Sequence, residues 1–99
     1  MNFKGDTFWR TFKLKYENAP YQLHNGDVVK SAFINNDGVK FAEKTINITE
    51  TMDNITIEWS DTEMADVYSG EYILETEFLT ADFRKTVQES VLINKDYIL

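Results

Sequence analysis

Carboxylates are the most abundant reactive groups in this chain, with seventeen Asp and Glu against ten Lys and Arg and a single His. Glu71, Glu75 and Glu77 share the outward parity of one extended segment, and Glu58 faces outward on another. Two carboxylates about 5–9 Å apart can divide acid and base roles on a glycosidic bond, but only across a cleft. A solvated sheet face is therefore the expected role of these glutamates. Asp61, Glu63 and Asp66 could offer oxygens to a hard cation, yet their spacing is not that of an EF-hand loop and the central glycine is missing. His24 lies in a turn-rich stretch beside Asn25 and Asp27, with no serine in a nucleophile elbow nearby. There is no cysteine, which excludes disulfides and thiolate metal sites. The expectation is a non-enzyme with no catalytic residues, no cofactor and no metal.

Two further features bear on binding. Trp9 has the parity opposite to Phe8 and Phe12 and should point outward. An outward tryptophan can anchor an interface, stack against a sugar, or be covered by the chain's own loops. Asn47-Ile48-Thr49 and Asn54-Ile55-Thr56 match the glycosylation sequon. Without a secretory leader in view, both read as accidents of a Thr- and Asn-rich β protein.

These residues must be positioned by strands, because the hydrophobic pattern has a period of two. Phe8, Arg10, Phe12, Leu14 and Tyr16 alternate with Thr7, Thr11, Lys13 and Lys15. Ile55, Ile57 and Trp59 repeat the alternation, as do Tyr72, Leu74, Thr76 and Phe78. Side chains of a strand point alternately to two faces, so each segment has a buried face and a wet one. The first strand runs from about Asp6 to Tyr16 and is broken by Glu17-Asn18-Ala19-Pro20. Tyr21 and Leu23 form a short extended piece before a turn at His24-Asn25-Gly26-Asp27. From Val28 to Ile34 both parities carry apolar residues, as in a central strand buried on both faces or around a bulge.

Asn35-Asn36-Asp37-Gly38 is the strongest hairpin signal, and the return strand from Val39 to about Ile48 is interrupted near Ala42 and Glu43. Ser60 and Glu63 form a capping box whose helix could be no longer than a turn or two. A strand from Glu71 to Leu79 and a last one from about Arg84 to Ile93 follow. About six to eight short strands without a long helix describe an all-β, antiparallel, immunoglobulin-like sandwich, with at most one helical turn near residues 61–67. The expected core comprises Phe12, Leu14, Ile55, Ile57, Trp59, Tyr72, Leu74, Phe78, Val87 and Val91. Truncation of Phe12 or Trp59 should each cost about 3–5 kcal/mol.

Composition narrows the partners. The 99 residues suit one domain over 1–99, with 42% apolar residues to fill a thin core. A net charge of −7 with scattered bases argues against nucleic acid and against an anionic membrane surface. No stretch approaches the roughly 18 apolar residues of a membrane helix, and the segment from Met1 shows no signal peptide.

The order of segments resembles the N-terminal immunoglobulin-like domain of baseplate upper proteins of phages of Gram-positive bacteria. The resemblance rests on Phe3-Lys4-Gly5-Asp6-Thr7-Phe8 continuing through Phe12-Lys13-Leu14, on Asn18-Ala19-Pro20-Tyr21-Gln22-Leu23 with Asn25-Gly26, on Gly70-Glu71-Tyr72, and on Ser90-Val91-Leu92-Ile93-Asn94-Lys95-Asp96. It spans nearly the whole chain through short motifs whose order carries the weight. Two departures stand out: residues 61–67 are more elaborate than the family pattern, and the chain stops at Leu99, where baseplate upper proteins usually continue into a helical linker and further domains. A stand-alone relative and an excised domain both fit. The resemblance implies a structural, non-enzymatic role in a phage or prophage tail tip. Its partners would be other tail or baseplate proteins and a homo-oligomer, in the host cytoplasm during assembly and then in the virion tail. It brings no catalytic residues. The alternative is a carbohydrate- or surface-binding module that uses exposed aromatics such as Trp9.

Overall fold

The computed structural model describes residues 8–93. The start of the first strand before Phe8, the Phe3-to-Thr7 part of the resemblance and its Asn94-Lys95-Asp96 tail lie outside the described residues. The described chain is all-β: β1 (Phe8–Tyr16), β2 (Ala19–Tyr21), β3 (Val28–Ile34), β4 (Lys40–Asn47), β5 (Asn54–Trp59), β6 (Gly70–Leu79) and β7 (Arg84–Ile93). They form a three-stranded sheet of order β2-β1-β5 and a four-stranded sheet of order β4-β3-β6-β7, all pairs antiparallel. Pairing of the first long strand with β5, opposite a sheet that places β3 and β6 side by side, is the arrangement expected of an immunoglobulin-like sandwich.

The turns follow local chemistry. Glu17 and Asn18 both adopt positive φ, 52° and 65°, which suits a two-residue hairpin turn whose twist matches its flanking strands. The break after β1 is therefore at these two residues. Pro20, expected to belong to the break, sits inside β2 opposite Lys15. A proline is tolerated there because β2 is an edge strand, where its missing N–H removes no ladder bond. At the β3–β4 hairpin the Asn35 carboxamide accepts from the Asp37 and Val39 N–H groups, both at 2.9 Å, and Gly38 takes φ 81°.

Neither cause expected for the mixed phase of β3 is found on β3 itself, since Lys30 leaves its outer face exposed and its register with β6 is unbroken. β3 lies between β4 and β6, and its register with β4 shifts between Ser31 and Phe33. Across that shift Ser31 faces Lys44 while Phe33 faces Phe41, so β4 carries one extra residue. Ala42, with φ 52°, is where the backbone bends. Val29, Ser31 and Phe33 then face Phe78, Thr76 and Leu74 of β6 on the inner side.

The core lies between the sheets. Trp59, Phe33, Phe78, Ile57, Leu74 and Val29 are fully buried. The rings of Phe8, Phe33 and Trp59 meet edge-on in all three combinations, with centroids 5.2–5.8 Å apart. Each such pair adds about 0.5–1.5 kcal/mol beyond the area it hides. Ser31 and Thr76, buried in the same layer, satisfy each other through a 2.8 Å hydroxyl bond. Of the expected core, Ile55, Ile57, Trp59, Tyr72, Leu74, Phe78 and Val91 are buried. Phe12, Leu14 and Val87 are only half-buried. Leu14 lies past the end of the β1–β5 ladder, Phe12 beside that end, and Val87 on an edge strand.

The segment after β5 forms hydrogen-bonded turns over residues 61–66, without an assigned helix. The capping box is in place, with the Glu63 N–H donating to Ser60 Oγ (3.1 Å) and the Ser60 N–H to Glu63 Oε1 (2.8 Å). Met64 and Val67 tuck into the core and hold the turn down.

Full burial of Trp59 against the partial burial of Phe12 sets an order of sensitivity. Trp59→Ala should cost about 3–5 kcal/mol and Phe12→Ala distinctly less, as read by denaturant unfolding. Equal losses for the two variants would show that the inner layer has been misassigned.

Candidate functional site

The outer face of the three-stranded sheet presents Trp9, with Glu58 directly across on β5. Its neighbours on that face are polar, since Thr11 and Thr56 share a 2.7 Å hydroxyl bond and Lys13 faces Asn54. The Trp9 side chain is 53% exposed, so the described residues leave more than half of it uncovered. Trp9 is thus a large indole on an otherwise hydrophilic face, while Tyr68 and Leu92 elsewhere are exposed further still.

Beneath it, on the inner parity of β1, Arg10 is the residue that pattern reading did not explain. Its guanidinium lies 4.6 Å over the Phe8 ring and donates through Nε and Nη2 to the Glu89 carboxylate at 2.9–3.1 Å. Nη1 donates to the Trp9 carbonyl at 3.0 Å. This side chain spans the gap between β1 and β7 along one flank of the sandwich. The opposite flank is spanned by Lys44, whose ammonium donates to the Glu63 carboxylate (2.9 Å) and to the Glu58 carbonyl on β5. Both ion pairs are more than a quarter exposed, and each is worth no more than about 1 kcal/mol. One signal for them was in the sequence: Arg10 and Glu89 are charged residues at positions whose strand neighbours are apolar.

The carboxylates singled out by type are dispersed into cross-strand pairs. Glu77 accepts from Arg84 Nε at 2.8 Å and faces Lys30, while Glu75 accepts from Gln88 Nε2 at 3.0 Å. A shallow depression of about 100 Å³ there is lined by Lys30, Lys40 and Lys44 as well as Glu43, Glu75 and Glu77. Each carboxylate there is matched by a nearby cation or amide, so the depression brings no two of them together as a pair across a cleft. Another shallow depression, of about 300 Å³, lies around Glu71, Ile73, Ser90 and Leu92. Asp61 and Asp66 are exposed, while Glu63 is engaged by Ser60 and Lys44. Among the described residues no group of three or more His, Asp or Glu is placed to hold a metal ion.

His24 is exposed, and the Asp27 carboxylate beside it is buried in a structural task. Asp27 Oδ2 accepts the His24 backbone N–H at 2.8 Å and closes the turn into β3. The His24 ring meets Tyr21 edge-on at 6.0 Å. Tyr21 belongs to an end cluster that strand patterning did not reveal, with Tyr16 stacked on Phe83 at 5.2 Å and Tyr21 edge-on to Phe83 at 4.8 Å. The Tyr21 hydroxyl donates to Asp82 at 2.9 Å. The nearby Thr80 hydroxyl pulls the Tyr21 pKa down, but desolvation and the Asp82 and Asp27 carboxylates outweigh it and raise it above 10.0. The phenol stays protonated at neutral pH and clamps the β1–β2 hairpin to the β6–β7 turn. Asn47 and Asn54 of the two sequons are exposed, at the end of β4 and the start of β5. No protein-family model, curated protein or solved structure matches this chain.

The bond from the Ser60 N–H, reinforced by Lys44, holds the Glu63 carboxyl below its ordinary 4.5. A depressed value means that the charged form is favoured by folding. The stabilisation is therefore present above the ordinary carboxylate range and fades as pH falls through the folded value. Glu63→Gln should lower the melting temperature at neutral pH, and the gap to wild type should close in acid. A gap that persists at low pH would assign the loss to packing instead of charge.

Proposed function

We propose that this domain is a non-enzymatic structural part of a phage or prophage tail-tip (baseplate) complex that works through protein–protein interfaces. The observation that carries the reading is the outward Trp9, more than half exposed on a face whose nearest members are Thr, Lys, Asn and Glu. Tryptophan is the residue most enriched at the energetic centre of interfaces, and surrounding polar groups form the rim that excludes water. The resemblance in segment order supports the tail-tip assignment, as does the immunoglobulin-like sandwich that it implies. On this reading the partners are other tail or baseplate proteins, met in the host cytoplasm and carried into the virion tail.

A carbohydrate-binding module is the competing reading, because an indole beside the Thr11 and Thr56 hydroxyls could also stack on a sugar ring. Co-expression with phage tail and baseplate proteins, run in parallel with a glycan array, separates the two. Co-purification of a tail protein should be lost or weakened about tenfold or more in Trp9→Ala. The same variant should move stability by less than about 1 kcal/mol. A glycan signal that depends on Trp9, with no tail protein captured, would reverse the assignment.

A further inference from the structure

A sandwich of open sheets has edges whose N–H and C=O groups lack partners. Among the described residues the sheets end on β2, β4, β5 and β7, with β1 also open beyond β2 over Phe8–Lys13, and three of the end strands are blunted. β2 is three residues long and contains Pro20. β4 is bent at Ala42 by its extra residue. β5 has its Glu58 carbonyl taken by the Lys44 ammonium. β7 carries none of these devices. It runs from Arg84 to Ile93 without proline, glycine or bulge, in unbroken register with β6.

We propose that β7 is a homodimerisation edge, where it pairs antiparallel with β7 of a second copy about a two-fold axis through Val87. The inference rests on the reading of this chain as an assembly domain and names one of its partners. The register follows from charge. Opposed side chains on one face of an antiparallel pair must have the same parity, so a two-fold axis passes through a residue that faces itself. An axis through Glu89 would oppose two glutamates, and one through Gln88 would leave Lys85 facing Val91. An axis through Val87 sets Lys85 against the partner's Glu89 in both halves, Val87 against itself and Thr86 against Gln88, with Arg84 facing Ser90. Lys85 is exposed, so its ammonium is accessible to an incoming carboxylate. Glu89 already holds Arg10, and an added lysine would complete a chain of alternating charge along that flank. In a chain of net charge −7, β7 carries two cations and one carboxylate, as β4 does, so it adds no negative charge where two copies would meet. The result is a continuous eight-stranded sheet across two molecules.

Sedimentation over a concentration series reaching the millimolar range reads the dimer. Lys85→Glu, which sets glutamate against glutamate, should abolish it while the melting temperature stays in place. Because the chain has no cysteine, introduced thiols report register without interference. An equimolar mixture of Thr86→Cys and Gln88→Cys should oxidise to the mixed disulfide. Thr86→Cys alone should not, since diagonal positions lie roughly 7–8 Å apart, beyond disulfide reach. A monomer at every concentration would overturn the proposal, and so would Thr86→Cys linking to itself as readily as to Gln88→Cys. A monomer that still captures a tail protein removes the β7 dimer and leaves the assembly reading standing. A β7 dimer with no tail protein captured supports this edge and removes the tail-tip assignment.

Discussion

A buried indole must deliver its N–H to an acceptor, and the whole sandwich is arranged around that demand. Trp59 is fully enclosed between the sheets and donates to the Ala42 carbonyl at 2.9 Å. That carbonyl lies at the bulge, where β4 carries its extra residue against β3. Ala42 in the left-handed region costs about 1 kcal/mol or more. Leaving a buried donor unpaired costs a comparable 1–3 kcal/mol. The strained residue and the satisfied indole are thus two halves of one arrangement, and together they fix how β5 sits over β4.

From that pivot the two flanks close differently from the centre. The middle of the sandwich is held by rings and branched aliphatics, a force that is large and not directional. The flanks, where β1 approaches β7 and where β5 approaches β4, are spanned by Arg10 with Glu89 and by Lys44 with Glu63. Long side chains with apolar stems suit this place, because the stem covers the core margin while the charged head stays in water. The guanidinium over Phe8 does this directly. The ion pairs add little energy, and they close the margins of a stack whose geometry the core sets.

Much of the fold was legible because single-strand alternation records which face is buried. β1, β5 and β6 could be drawn from Phe12, Leu14, Ile55, Ile57, Trp59, Tyr72, Leu74 and Phe78 alone. The Asp37-Gly38 hairpin and the Ser60–Glu63 box were legible because both are made within a few residues of sequence. The pairing of Arg10 with Glu89 was not, since the two are 79 positions apart and meet only once the sheets are stacked. Pro20 misled for a related reason: it forbids a central strand and permits an edge, and sequence alone does not say which strand will be at the edge. Trp9 was placed outward correctly by parity. The end cluster of Tyr16, Tyr21 and Phe83 escaped notice because it joins two turns, where periodicity carries no information.

The order in which the strands meet in time follows from the ladder partners. β3 with β4, and β6 with β7, are neighbours joined by short turns, so little chain entropy is lost in closing them. β1 must find β5 across all of β2, β3 and β4, with Phe8 beside Trp59 and Phe12 beside Ile55. Non-local pairing of this kind is slow. β3 must find β6 over a comparable span, with Val28 beside Leu79 and Ile34 beside Ile73. Each sheet is therefore completed by one long-range pairing, and until both have formed a newly made chain displays its aromatic stripes to whatever chaperone or neighbour is at hand.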